Sequence, residues 1–358
     1  MTVEALPAGY GDSLLVTCAK RGRPWRLLVD TGPDECWPML KARLAQIPAD
    51  RAGKRHIDLA IISHIDHDHI GGAGALFSDR DLGLTFGDIW FNAPVMPASR
   101  GVAEGRSLAK LLGAAEAALP WNKTWGGRHA VTTVEAPFVE LSQAAGQPKL
   151  TLLSPTPAKL TALFKVWTRE LARLREPPKA QPATPIARDR GPLDLTALAA
   201  KVTPVDRAPA NGSSIAVLLE HKGVSVLLAA DAHPDVLVPA LKALAAHRDA
   251  ALPLQVDVFK LSHHGSRGNV TTDLLGAVQA QHYMVSTNGA IFGHPDDEAI
   301  ARVIVGGGLS REVWFNYRTA KTEKWRADAM QQAYSYVARL PNDSGAGNVL
   351  QLNGVSRR

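Results

Sequence analysis

Short apolar runs and longer amphipathic segments alternate along the chain. Short runs rich in Val, Ile and Leu are typical of buried strands, and apolar residues spaced three and four apart are typical of helices. Strands are predicted at residues 2–6, 13–18, 25–30, 57–62, 88–91, 149–153, 214–220, 224–230, 256–261 and 282–286. Helices are predicted at residues 35–46, 102–119, 157–175, 192–200, 233–247, 271–279 and 296–304. His221-Lys222-Gly223, between two apolar runs, predicts a hairpin turn. By itself the pattern predicts a mixed α/β domain.

The richest chemistry follows the predicted strand at 57–62. The next residues, Ser63-His64-Ile65-Asp66-His67-Asp68-His69-Ile70-Gly71-Gly72, contain five potential metal ligands within six consecutive positions. Imidazole nitrogen and carboxylate oxygen both bind zinc. A strand that ends in clustered His and Asp before a Gly-Gly pair is typical of a loop that holds metal. We therefore expect a metal centre at this corner of the fold.

This stretch resembles the signature His-x-His-x-Asp-His of the metallo-β-lactamase superfamily. Asp66 stands where that signature has its second His, and this variant is similar to the ComEC-like branch of the superfamily. His67 occupies a position that the signature leaves free. We interpret it as an outward or supporting residue, with a ligand role as the alternative.

Further segments match landmarks of the same branch in the same order, over roughly residues 1–320. They are the Gly-x-Gly-Asp turn at 9–12, the Asp-x-Gly corner at Asp30, the Asn-x-x-Ser element at Asn211, the strand end at Asp231, the His-His-Gly-Ser loop at 263–266 and the corner around His294. Asp30 is expected to support the metal loop. Ala230 departs from the Gly that usually precedes the family's Asp. The resemblance implies an αββα sandwich, with two facing sheets, helices outside and metals at one edge.

The resemblance also implies two divalent metal ions. Zinc is favoured, and manganese is the alternative because carboxylate-rich sites suit harder ions. His64 and Asp66 are expected on the first ion, and Asp68 and His69 on the second. Asp231 is expected to bridge the two.

The later motifs leave several roles open. One histidine of the pair His263-His264 is expected to complete a site, and His264 is favoured. Asn211 lies where other branches place a third His, so the first site is expected to be weak or filled only with substrate present. His294 is open between a further ligand, a proton donor and a loop residue. Ser266 is expected either to bind a phosphate oxygen or to close its own loop.

Composition narrows the class of protein. The 358 residues are 46% hydrophobic and 21% charged, which suffices for a substantial core. No apolar run approaches the roughly 20 residues needed to span a bilayer, so no membrane partner is expected. Two cysteines are too few for a disulfide framework, and the N-terminus lacks a secretory pattern, so a cytoplasmic location is expected. The formal net charge of +6 favours an anionic partner.

A single domain is expected over residues 1–358. It carries a Pro-rich and basic insertion at about 156–210 and an aromatic C-terminal extension at about 311–358. A helix within the insertion would place Leu163 and Trp167 on one side and basic residues on the other. That basic side is interpreted as a solvated face, with a phosphate-binding surface as the alternative. The aromatic residues of the extension are expected to pack in the core rather than to stack on bases.

Together these features predict a metal-dependent hydrolase. The favoured activity is that of a phosphodiesterase or nuclease on an anionic substrate such as DNA or RNA, with Asp68, His264 and His294 as catalytic candidates. A hydrolase of small esters, lactones or phosphocholine-type esters is the alternative. A non-catalytic binding module is disfavoured, because the set of ligands is nearly complete.

Overall fold

The computed structural model describes residues 1–94, 119–141, 144–173, 193–308, 311–342 and 347–354. The helix predicted at 102–119 lies outside these residues, except for its last position. Most of the Pro-rich part of the predicted insertion also lies outside them.

Two β-sheets are formed by the described residues. The strands of the first sheet are β1 (Thr2–Ala5), β2 (Leu14–Cys18), β3 (Trp25–Val29), β4 (Arg55–Ile61), β5 (Leu84–Trp90) and β14 (Asn348–Gln351). They lie in the order β14-β1-β2-β3-β4-β5. Strands β3, β4 and β5 run parallel, so their carboxyl ends meet at one edge of the sheet.

The second sheet combines an antiparallel half with a parallel half. Its strands are β6 (Val139–Leu141), β7 (Lys149–Ser154), β8 (Ala216–His221), β9 (Val224–Leu228), β10 (Leu254–Lys260), β11 (Val278–Val285), β12 (Arg311–Phe315) and β13 (Tyr336–Arg339). They lie in the order β13-β12-β11-β10-β9-β8-β7-β6. Neighbours from β9 to β13 are parallel, and neighbours from β6 to β9 are antiparallel.

The helices connect and cover these sheets. Those described are α1 (Trp37–Ala45), α2 (His67–Ile70), α3 (Ala73–Ser78), α4 (Pro157–Arg173), α5 (Leu195–Ala200), α6 (Pro209–Gly212), α7 (Pro234–His247), α8 (Thr272–Ala277), α9 (Asp297–Gly306), α10 (Ala320–Glu323) and α11 (Asp328–Tyr334). None of the described helices combines the length and the apolarity needed to cross a membrane.

The core has three layers of apolar side chains. The middle layer contains residues from both sheets, such as Leu27 of β3 and Val258 of β10, so the sheets pack face to face. One outer layer joins the first sheet to α1, α3 and α4, and includes Leu163 and Trp167. The other joins the second sheet to α7, α8 and α9. Because burial of apolar surface drives folding, this layering holds the predicted αββα sandwich together, and the predicted fold class is confirmed.

The strand predictions succeed where the apolar runs are continuous. All ten predicted strands are present with shifted ends, and the hairpin turn at Lys222-Gly223 joins β8 to β9. Four strands were missed, namely β6, β12, β13 and β14. Strand β13 alternates buried and exposed residues, and β14 pairs with β1 from the opposite end of the chain. Such short, half-exposed strands carry little apolar periodicity.

Aromatic residues of the C-terminal segment lie inside the fold. Trp325 is 0% exposed, Phe315 is 1% exposed and Tyr336 is 3% exposed. All three belong to the layer between the second sheet and its helices. The expectation that aromatic residues of this segment pack in the core is therefore confirmed for these three.

Candidate metal centre

The candidate ligands converge at the carboxyl ends of parallel strands. In the first sheet, Asp30 follows β3 and His64 follows β4. In the second sheet, Asp231 follows β9, and His263 and His264 follow β10. Because the two sheets pack face to face, these strand ends meet at one edge of the sandwich. The topology therefore gathers residues that are far apart in the chain.

Asp30 organises the start of the metal loop. It is 0% exposed, and its Oδ1 and Oδ2 accept hydrogen bonds of 2.7 Å each from the backbone N and the Oγ of Ser63. Its Oδ2 also lies 2.8 Å from Nδ1 of His69. A carboxylate of this kind only accepts hydrogen bonds, so Nδ1 of His69 carries the hydrogen and Nε2 is free to face the centre. Asp30 thus supports the loop and does not face the cluster.

Four imidazoles turn Nε2 toward one carboxylate. The Oδ1 of Asp231 lies 3.4 Å from Nε2 of His69. Its Oδ2 lies 3.9 Å from Nε2 of His64, 3.6 Å from that of His263 and 3.9 Å from that of His264. Asp231 is 2% exposed. It is therefore the geometric centre of the cluster.

Two further carboxylates lie beside different imidazoles. Asp66 Oδ2 is 3.6 Å from Nε2 of His64, and its side chain is partly exposed. Asp68 Oδ2 is 3.1 Å from Nε2 of His264 and 3.8 Å from Nε2 of His69. Asp66 directly precedes α2 and Asp68 lies within it, so the first turn of this short helix carries the ligand-rich segment. The structure brings all of the candidate metal ligands into one cluster.

The donor set fits a divalent metal ion. Nε2 of His64 and Oδ1 of Asp231 are buried atoms without a hydrogen-bond partner among the described residues. Buried polar atoms are normally hydrogen-bonded, so two such atoms facing a shared cluster indicate that something else binds there. Imidazole nitrogen and carboxylate oxygen are ligands of zinc and of neighbouring divalent ions.

Both histidines of the His-His pair reach the centre. His263 and His264 have φ angles of 48° and 53°, a left-handed conformation that costs free energy for residues other than glycine and is concentrated at functional sites. With this backbone, Nε2 of His263 and Nε2 of His264 lie 3.6 Å and 3.9 Å from the same Oδ2 of Asp231. Ala230 also has a positive φ of 46°, at the position where the resembling family usually has Gly. A small side chain is thus tolerated there.

Asp206 and Asn269 are polar partners that the sequence did not reveal. Nδ1 of His263 lies 3.3 Å from Oδ2 of Asp206 and 3.1 Å from Oδ1 of Asn269. Asn211 donates from Nδ2 to Asp206 at 2.7 Å and lies 3.3 Å from the same imidazole nitrogen. Asn211 therefore contacts the outer side of His263 instead of joining the cluster. Asp206 stands in an irregular loop with no motif around it, so no local signal identified it.

His294 lies beside the His-His pair. Its ring centre is 5.0 Å from that of His263 and 6.5 Å from that of His264. Nδ1 of His294 is buried and lies 3.5 Å from Oδ2 of Asp296, too far and too poorly aligned for a good hydrogen bond. Burial lowers the pKa of His294 and outweighs the carboxylate of Asp296, which raises it, and the neighbouring imidazoles lower it further. A neutral imidazole therefore borders the centre at neutral pH.

Two candidate residues make their contacts outside the cluster. Ser266 Oγ accepts a hydrogen bond from the backbone N of Gly268 at 3.2 Å, which closes its own loop. Nδ1 of His67 lies 2.9 Å from the hydroxyl of Tyr10, and its Nε2 lies 3.1 Å from Oδ1 of Asp34. Both nitrogens of His67 are thus occupied at the rim of the centre.

The carboxylates and imidazoles of the cluster stabilise each other's charged forms. Burial alone would lower the pKa of His264, but Asp12 and Asp231 outweigh it and raise the pKa to about 9. The pKa of His69 is likewise raised well above its usual value, since Asp231 and Asp68 overcome the effect of burial. Burial would raise the pKa of Asp231, yet the surrounding imidazoles hold it well below its usual value. Without metal, protons therefore occupy part of the ligand set at pH 7.

Metal affinity is expected to rise with pH between about 6 and 9. His264 has a pKa of about 9, so its imidazole is protonated at pH 7 and must lose that proton when a metal binds. Zinc titration by calorimetry, at pH 7 in buffers of different ionisation enthalpy, should show net proton release. The release should decline as the pH passes about 9. Zinc binding without any proton release at pH 7 would contradict the assigned protonation.

The first comparison with known proteins bears on the fold. Residues 11–105, which include the metal loop, match the family model described as Metallo-beta-lactamase superfamily. The chain has the metallo-β-lactamase fold. Members of that superfamily are hydrolases and typically bind divalent metal ions. The match thus agrees with the His and Asp cluster at the sheet edge.

Three solved structures are similar to the whole chain. YhfI from Bacillus subtilis, a metallo-β-lactamase fold protein, is 11% identical over 98% of this chain and 100% of its own, with a TM-score of 0.39. Igni18, a metallo hydrolase from the archaeon Ignicoccus hospitalis, is 11% identical over 99% of this chain and 100% of its own, with a TM-score of 0.40. The short form of human tRNase Z is 11% identical over 99% of this chain and 100% of its own, with a TM-score of 0.43. No curated protein matches the chain. Similarity at this level carries no argument about activity.

Proposed function

We propose that this protein is a metal-dependent phosphodiesterase that uses two divalent ions, with nucleic acid as the favoured substrate. The observation that carries the proposal is the position of Asp231 between two groups of donors. Asp66 adjoins His64, whereas Asp68 adjoins His264, and Asp231 Oδ2 lies 3.9 Å from Nε2 of each of these imidazoles. Two donor groups that share a carboxylate suit a pair of ions.

We assign the ligands accordingly. His64, Asp66 and His263 would hold the first ion, while Asp68, His69 and His264 would hold the second, and Asp231 would serve both. Zinc suits the imidazoles, and manganese is the alternative because three carboxylates take part. The variant motif with Asp66 supports placement in the ComEC-like branch.

The reaction needs a nucleophile, charge compensation and a protonated leaving group. When bound, the two ions lower the pKa of water and offset the negative charge of the phosphoryl group. The chain supplies the rest. His294, adjacent to His263 and with its Nδ1 3.5 Å from Oδ2 of Asp296, would act as the general acid: its imidazolium form would give a proton to the leaving oxygen and become the neutral imidazole that its lowered pKa favours.

A cavity next to the centre supports a polymeric substrate. Its volume is about 500 Å³, and Asp206, which contacts His263, forms part of its wall. Arg207 also lines it and would face a phosphate that flanks the scissile one, whereas Lys159 on the same wall is paired with Asp235 at 2.8 Å. Contacts of this kind make binding depend on salt, because counterions are released from the nucleic acid.

A small phosphodiester is the second candidate substrate. Asp34 and Glu35 are exposed at the rim beside His67, and a long polyanion would be repelled there. A compact substrate would avoid both carboxylates. Polymer length therefore separates the two candidates.

The decisive assay uses the protein stripped of metal and then reloaded with zinc, manganese or magnesium. Hydrolysis of bis-(p-nitrophenyl) phosphate is measured beside cleavage of labelled single- and double-stranded DNA and RNA. We expect metal-dependent cleavage of the small diester and of at least one polynucleotide. Polynucleotide cleavage should weaken steeply between 50 and 200 mM salt. Cleavage of the small diester alone would favour the second candidate.

Asp68→Ala provides the control for contaminating nucleases. Because Asp68 is a proposed ligand, its loss should reduce hydrolysis by more than about 100-fold. Loss of a residue that only supports a metal ligand typically costs up to about 100-fold. Asp81→Ala is the matched control, since the side chain of Asp81 is 85% exposed and its ion pair is with Lys41 at the surface. Equal activity of Asp68→Ala and wild type would reject the site. No hydrolysis of any phosphodiester by metal-loaded protein would reject the activity.

A further inference from the structure

A completely buried lysine lies behind the centre. Lys260, the last residue of β10, is 0% exposed. Its Nζ donates to Oδ2 of Asp12 at 2.7 Å and to the backbone O of Leu261 at 3.0 Å. Lysine is almost never fully buried unless it is paired. The pair with Asp12, which is itself 1% exposed, therefore explains how Lys260 is accommodated.

The other oxygen of Asp12 faces a proposed metal ligand. Asp12 Oδ1 lies 3.2 Å from Nδ1 of His264, although it makes no hydrogen bond among the described residues. The same Nδ1 lies 2.8 Å from the backbone O of Ser286. Carbonyl and carboxylate oxygens accept hydrogen bonds and do not donate them. Nδ1 must therefore carry a hydrogen, which leaves the lone pair of Nε2 for the centre.

Asp12 also touches the metal loop through its backbone. Its N donates to the backbone O of Asp68 at 3.1 Å. The adjacent residue, Gly11, passes so close that an added Cβ would lie 1.8 Å from that same oxygen. One residue thus contacts Asp68 with its main chain and His264 with its carboxylate. These two proposed ligands lie 3.1 Å apart and belong to the second ion.

We propose that Asp12 and Lys260 are positioning residues for the second metal site, with Lys260 holding the carboxylate that orients His264. Outer partners of this type fix the tautomer and the direction of metal-binding histidines. A stabilising role for the ion pair alone is a weaker explanation, because a buried ion pair can often be replaced by apolar residues without loss of stability. Asp30 holds His69 in the same manner but receives its hydrogen bonds from Ser63.

The test compares Asp12→Asn, Lys260→Met and the double variant by zinc titration of metal-free protein. We expect one zinc equivalent to bind with wild-type affinity and the other to bind about 10- to 100-fold more weakly. The double variant removes both charges together, so no unpaired charge is left buried if a single variant fails to fold. The thermal unfolding midpoint of the metal-free double variant should stay near that of the wild type, while its second site should still bind zinc more weakly than the wild type does. Folded variants that bind two zinc ions with wild-type affinity would overturn the proposal.

A measurement on the wild-type protein gives an independent test. In zinc-loaded protein labelled with ¹⁵N-histidine, His264 should show a protonated Nδ1 and a metal-shifted Nε2. Protonation of Nε2 instead would overturn the proposal without any variant. The inference rests on the metal ligands of the proposed function and not on its substrate. Zinc titration therefore tests the positioning role of Asp12 and Lys260, and the phosphodiester assays test the proposed activity independently of it.

Discussion

Asp231→Asn should abolish hydrolysis and weaken the binding of both metal ions. Asp231 is the carboxylate toward which the Nε2 atoms of four imidazoles point, at 3.4 to 3.9 Å. An amide has one neutral oxygen in place of two charged ones, so it cannot serve two ions in the same way. We expect activity to fall by more than about 1000-fold, beyond the effect of losing an outer partner. Metal content after dialysis should fall from two equivalents to less than one.

The matched control is Asp81→Asn, which makes the same chemical change at an exposed position. It should keep wild-type activity and metal content. Without metal, Asp231→Asn should also fold, because the neighbouring histidines can lose their protons when the carboxylate is gone. An Asp231→Asn protein that retains two tightly bound ions would show that Asp231 is not shared.

Gly11→Ala should displace the metal loop and destabilise the protein. A Cβ at this position would lie 1.8 Å from the backbone O of Asp68 and 2.9 Å from its Cβ. The obstacle is backbone, so no rotation of a side chain can relieve it. Inserted methyl groups in packed regions typically cost about 1–3 kcal/mol, and this contact should reach the upper end. Thermal unfolding without metal and zinc titration measure the two consequences.

Gly74→Ala is the contrasting substitution in α3. An added Cβ there has no heavy atom within 4 Å, and the position is helical. Alanine favours helix over glycine by up to about 1 kcal/mol, so the free energy of unfolding should stay the same or rise. If Gly11→Ala were as stable as Gly74→Ala and bound two zinc ions, the close approach would have no role in the centre.

The sequence predicted the site best where the ligands are contiguous. His64, Asp66, Asp68 and His69 lie within one turn of loop and helix, so their proximity is a local property. Asp231 was predicted from the resemblance, because the family has a carboxylate at the end of the corresponding apolar strand. Periodicity also predicted ten strands, although their ends shifted by a few residues.

The His-His pair is a case that the sequence motif did not resolve. The sequence favoured His264 over His263 as a ligand, yet the structure turns Nε2 of both toward Asp231. The reason is the left-handed backbone at both residues, which no motif reports. Asn211 was expected as a supporting residue of the site, and its amide binds Asp206 on the outer face of His263.

The sequence by itself determined a mixed α/β domain, the strand that carries the metal loop and the residue types of the ligand set. These depend on local periodicity and on spacing within a few residues, whereas the αββα sandwich was implied by the resemblance. Only the tertiary structure decided the partners of each imidazole, among them Asp206 for His263 and the pair of Asp12 with Lys260 for His264. Asp12 and Lys260 are 248 residues apart in sequence and 2.7 Å apart in space. Their contact depends on which strands face each other across the sandwich. The hydrophobic periodicity of either segment does not predict that arrangement.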